Sequence, residues 1–62
     1  MRYNQALKLH NEDEVIYKKT KETLTILQAY NNINPITNNP QVTIEAISTS
    51  RTLYTLTHKY IK

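Results

Sequence analysis

QVTIEAISTSRTLYTLTHKYIK, residues 41–62, decides the fold. Val42, Ile44 and Ala46 alternate with Thr43, Glu45 and Ile47. Side chains two apart share one face of a strand, so this period predicts a strand. Residues 48–52, STSRT, are short and polar and read as a turn. Residues 53–58, LYTLTH, are rich in Leu, Tyr and Thr, which suit a pleated, half-buried surface. The stretch is therefore a hairpin. Residues 57–60, THKY, read as a tight turn, and Ile61 adds one last apolar side chain. That tail closes a small barrel if the chain's end pairs with its first strand. Closure removes exposed strand edges, which otherwise template aggregation.

Before this hairpin lies NNINPITNNP, residues 31–40. Two prolines and five asparagines predict a long loop outside the sheet, because proline cannot donate to a strand ladder. Ile33 and Ile36 are expected to pin it to the body. Residues 14–30 read as an earlier hairpin: a strand from Glu14 to Tyr17 or Lys18, a turn over 19–22, and a return over 23–30. An amphipathic helix needs an apolar residue every three or four positions. The register from Ile16 instead meets the polar run 18–23. One helix over 12–30 is the rival reading, since Lys, Glu, Leu and Gln are good helix formers. Residues 1–9 are mixed, and a short helical turn there would lay Tyr3, Leu7 or both over an end of the barrel. The expectation is an all-β small barrel of about four or five antiparallel strands, one domain over residues 1–62. Its expected core is Val15, Ile26, Val42, Ile44, Leu53 or Tyr54, Leu56 and Ile61.

A chain of 62 residues buries only about 60% of its unfolded surface. Small domains often need disulfides, a metal or a partner for support. Cysteine is absent, which excludes disulfides and thiolate metal sites and fits a reducing compartment. His10 and His58 are too few for a self-contained structural metal site. Oligomerisation is the support that stays open. No apolar run approaches the ~20 residues of a membrane span, and the N-terminal sequence lacks the pattern of a signal peptide. The expectation is a cytoplasmic protein with no membrane partner. Glycine is also absent, which rules out a glycine-rich phosphate loop and a dinucleotide fingerprint. Positive-φ turn positions must then use other residues, with Asn the expected substitute.

Catalysis finds little footing. Glu12, Asp13 and Glu14 form the one carboxylate cluster, in a polar corner that reads as solvated. Ser48 and Ser50 sit in a turn. His10 and His58 read as turn residues bonded to local backbone. No enzyme activity and no cofactor are expected. The net charge of +3 permits phosphate contact without requiring it. Lys18, Lys19 and Lys21 share one turn, Arg51 lies in the other, and Lys59 and Lys62 lie at the end. With Tyr17, Tyr30 or Tyr54 as stacking platforms, these would suit nucleic acid. The plainer role for the lysines is to keep loops soluble, and for the tyrosines to pack core and rim. A protein partner is the other class: an open edge strand or a Tyr-lined groove takes up a peptide, and the acidic corner makes the surface bipolar. Protein binding stands slightly ahead, because the charge is mild.

Residues 9–15, LHNEDEV, resemble the opening of many bacterial and phage SH3-like barrels, where Leu or Val precedes a Gly-Asp pair and then Val. Glu12 stands at the glycine position. Residues 18–22, KKTKE, resemble the first loop of those domains, with Lys21 where glycine is usual. Residues 57–61, THKYI, resemble their closing turn and last strand. The chain also resembles tiny proteins carried by phages and plasmids of low-GC bacteria. The resemblance implies a phage or mobile-element accessory protein that binds a host protein, and it brings no functional residues.

Overall fold

A computed structural model describes all residues 1–62. The chain forms one short helical turn, α1 (Tyr3–Ala6), and four strands, β1 (Glu14–Ile16), β2 (Thr23–Ile33), β3 (Pro40–Ser48) and β4 (Leu53–Thr57). A single 3₁₀ turn follows at His58–Tyr60. The strands make one antiparallel sheet in sequence order, β1-β2-β3-β4, and the sheet curls into a half-barrel. The hairpin over residues 14–30 is therefore the correct reading, and the single helix is not formed.

Alternation sets the two faces. Val15, Leu24 and Ser48 lie in one cross-strand row, then Ile26, Ala46 and Tyr54, then Ala29, Ile44 and Leu56. These rows face inward, and Leu24, Ile26, Ile44 and Val42 are almost fully buried. The pairing shifts between Ile26 and Gln28, so Leu27 is an extra residue on β2. A bulge of this kind bends the strand and increases its twist. Here it keeps Leu24, Ile26 and Ala29 on the inner face although their spacing is not strictly two.

Of the expected alternatives Leu53 or Tyr54, Leu53 is the one the core leaves out. It pairs with Ile47 on the outer face and is 69% exposed. Tyr54, one residue on, pairs with Ala46 and turns inward. The loop differs from expectation. Asn31, Asn32 and Ile33 belong to β2 and pair with Val42, Gln41 and Pro40. Their side chains find partners: Asn31 Oδ1 accepts from the Tyr3 hydroxyl at 2.9 Å, and Asn32 Oδ1 accepts from Thr43 Oγ1 at 2.8 Å. Pro40 is tolerated as the first residue of a strand. The true turn is 34–39, closed by the Asn34 N–H donating to the Asn39 carbonyl at 2.9 Å. Ile36 is 92% exposed and Ile33 is exposed as well, so neither pins the turn to the body.

The chain ends fold back as the period suggested. Ile61 is fully buried and bridges antiparallel to Tyr17. The Lys18 N–H donates to the Tyr60 carbonyl, and the Lys62 N–H donates to the Ile16 carbonyl, each at 2.9 Å. Ala6 and Tyr3 of α1 cover the inner face, whereas Leu7 is exposed. Closure is partial, however. β4 pairs only with β3, and no backbone hydrogen bond reaches its outer edge.

Four residues carry positive φ: Glu12 at 75°, Lys21 at 63°, Asn38 at 60° and Arg51 at 65°. Only one is Asn, which corrects the expected use of that residue. Glu12 and Lys21 are the two positions where the resemblance places glycine.

Candidate binding surfaces

Two hairpin tips meet at one end of the sheet, because Leu24 pairs with Ser48. One tip is the 17–22 turn. It is held by the Tyr17 N–H to the Glu22 carbonyl at 3.0 Å and the Lys21 N–H to the Tyr17 carbonyl at 2.7 Å. The other is the 48–52 turn with Arg51. Tyr54 joins them: its hydroxyl donates to Glu22 Oε1 at 3.0 Å. This bond and burial both push the Tyr54 hydroxyl above its ordinary value, because phenolate beside carboxylate is disfavoured.

Lys18 and Lys21 come together at this end, and Lys62 joins them. The three surround an open depression of about 450 Å³ with Ile16 as its apolar lining residue. Lys19 shares the turn but does not line the depression, and neither do Arg51 or Lys59. Lys62 follows from the closing register: if Tyr17 meets Ile61, then Ile16 meets Lys62. No lysine or arginine in the chain has a carboxylate within ion-pair distance. The single pair is His10 Nδ1 with Asp13 Oδ2 at 3.9 Å.

The tyrosines divide. Tyr17 is buried and packs edge-on against Tyr54, with ring centres 5.2 Å apart. Tyr30 and Tyr60 are the exposed rings. Tyr60 was not singled out in the sequence, but its carbonyl holds Lys18.

His58 is buried, and its partner is not local. Nδ1 accepts the Val42 N–H at 3.3 Å, and the ring meets Tyr3 edge-on at 5.8 Å. Burial, then the positive amino terminus and Lys59, push the imidazole below its ordinary value. His10 is exposed, and its own N–H donates to the Asp13 carboxylate at 2.8 Å.

The third surface is the free edge of β4. The Ser48 N–H donates to the Thr52 carbonyl, and antiparallel pairs alternate between bonded and non-bonded. Ala46–Tyr54 and Ile44–Leu56 are then the bonded pairs of β3 and β4. The backbone groups of Leu53, Thr55 and Thr57 point away from β3, to the open edge. The strand LYTLT holds no charge and no proline, so the usual blunting devices are missing. No helix of the chain is long and apolar enough to cross a membrane. No protein-family model matches the chain, and no curated protein or solved structure matches it either.

Proposed function

We propose that this chain is a non-enzymatic, SH3-like accessory module of phage or mobile-element type, working in the cytoplasm by taking up a partner protein's strand along β4. The observation that carries the reading is the open, uncharged β4 edge. Leu53, Thr55 and Thr57 offer three N–H and three C=O groups there, and main-chain bonds to such groups are how added strands bind. Leu53 and its cross-strand neighbour Ile47 form an apolar strip on the outer face that can receive alternate side chains.

Charge selects the occupant. Arg51 precedes β4 and Lys59 follows it. A second copy paired antiparallel about Thr55 would set Arg51 of each chain towards Lys59 of the other. Like charges directly opposite are destabilising. An extended apolar segment of another protein, with Asp or Glu at its ends, meets the same edge with opposite charge.

Selection from a library of displayed random peptides tests this. Enriched peptides should alternate apolar and β-branched residues between acidic ends. Thr55→Pro should abolish their binding without unfolding the domain, because it removes an N–H that points to solvent. Leu56→Pro should unfold it, because that N–H bonds to β3. Peptides that bind Thr55→Pro as well as wild type, or no enrichment at all, would refute strand addition. A dimer abolished by Thr55→Pro would give the edge to a second copy instead.

A further inference from the structure

We propose that the depression lined by Ile16, Lys18, Lys21 and Lys62 is a separate site for a compact polyphosphate. It lies on the β1 side of the sheet, whereas the proposed strand site is the β4 edge. Neither reading depends on the other.

Two chain segments supply the three ammonium groups: the 17–22 turn carries Lys18 and Lys21, and Lys62 follows the closing bridge. Their backbones are fixed by the Lys18–Tyr60, Lys21–Tyr17 and Lys62–Ile16 bonds. The fold thus brings Lys62, distant in sequence, beside the two lysines of the turn. No Asp or Glu side chain lines the depression, and none of the three lysines has an ion-pair partner. The nearest acid in sequence, Glu22, accepts a hydrogen bond from Tyr54 instead. The three ammonium groups outnumber the one negative group beside the hollow, the α-carboxylate of Lys62, so the local potential is raised and a multivalent anion is favoured. Phosphate oxygens are the matching acceptors for ammonium donors.

Shape favours a compact ligand over a nucleic-acid strand. A strand needs cations in a row along its backbone and aromatic faces for its bases. Here the cations converge on one hollow, and Lys19, Arg51 and Lys59 do not extend it. Tyr17, the tyrosine between Ile16 and Lys18, is buried. A volume of about 450 Å³ accommodates a di- or triphosphate group, free or carried by a nucleotide, and falls within the usual range for small-ligand sites.

The test is titration of the whole chain with inorganic tripolyphosphate, adenosine triphosphate and an oligothymidylate, followed by amide chemical shifts at low and high salt. Tripolyphosphate should saturate one site, shift the amides of Ile16, Lys18, Lys21 and Lys62, and weaken steeply with salt. The double variant Lys18→Ala, Lys21→Gly should lose roughly ten-fold or more in affinity, since two of three charge contacts are gone. Glycine suits the positive φ of residue 21, so the fold is kept. Arg2→Ala with Lys8→Ala removes the same charge elsewhere and should cost less than about two-fold. Equal affinity for adenosine triphosphate would identify a nucleotide as the source, and preference for tripolyphosphate would identify free polyphosphate. Equal losses in the two double variants, oligothymidylate binding alone, or no saturation at low salt would each overturn the proposal.

Discussion

The imidazole of His58 stands in for a strand. Its Nδ1 accepts the Val42 N–H at 3.3 Å, at the position where the alternation of β3 and β4 calls for a backbone carbonyl. The chain has already turned into the 3₁₀ turn at His58–Tyr60. The side chain therefore satisfies an amide that the departing backbone leaves behind, in a buried place where an unmade bond costs about 1–3 kcal/mol. An accepting Nδ1 carries no proton, so the folded state holds neutral His58.

This fixes a pH dependence. The folded value lies below the ordinary 6.5, so the unfolded chain takes up the proton first as pH falls. The His58 contribution to stability is fully present above about pH 6.5 and is lost as pH falls through the folded value. Urea unfolding should show it. His58→Asn keeps an acceptor near the Nδ1 position and should flatten the dependence in that window. His58→Ala should destabilise by about 1–3 kcal/mol above pH 6.5, and by less as pH falls through the folded value.

The positive-φ positions should respond to glycine. A non-glycine residue in the left-handed region is held at about 1–2 kcal/mol, partly offset by the entropy glycine loses on folding. Glu12→Gly, Lys21→Gly and Arg51→Gly should each stabilise by about 0.5–1 kcal/mol in urea titrations. Lys18→Gly, at an ordinary position, should not. Lys21→Gly should raise stability while weakening tripolyphosphate, which separates the turn's backbone from its charge.

Leu24, which the expected core leaves out, and Leu53, which it offers, should differ sharply. Leu24 is fully buried and Leu53 is 69% exposed. Leu24→Ala should cost about 2–5 kcal/mol, enough to leave much of so small a domain unfolded. Leu53→Ala should stay within about 0.5 kcal/mol.

Among the five tyrosines, Tyr54 should ionise above the ordinary 10.0. Glu22→Gln removes the carboxylate that accepts its hydrogen bond and should bring it down. Ring-carbon shifts followed through the alkaline titration check this. The link between the two hairpin tips then weakens as pH rises past 10.0, because the unfolded chain loses its proton first.

Most of the architecture was legible because period two is strong in residues 42–47 and 53–56. The buried Ile61 was legible as the only apolar side chain after the last turn. The phase of β4 was not. LYTLT has apolar residues on both faces, and only the turn at 48–52 decides whether Leu53 or Tyr54 points in. Asn31 and Asn32 read as loop because their strand role depends on Tyr3 and Thr43, which are distant in sequence. Of the basic residues, sequence proximity grouped Lys18 with Lys19 and Lys21. The fold replaced Lys19 with Lys62, a consequence of the closing register and not of spacing. His58 looked like a local turn residue because its partner lies 16 positions away.

The extra residue at Leu27 also sets what kind of change the long hairpin tolerates. Because Leu27 is absorbed outside the pairing, deleting it would leave Ile26 and Ala29 inward and Gln28 and Tyr30 outward, and would remove the bend and added twist that the bulge supplies. Substituting Leu27 leaves that bend intact. In β2, the extra residue sets curvature, and its presence matters more than its identity. A lineage of this domain should therefore vary freely in the letter at position 27, and a member that lost the residue should keep the faces of β2 while its sheet curls less.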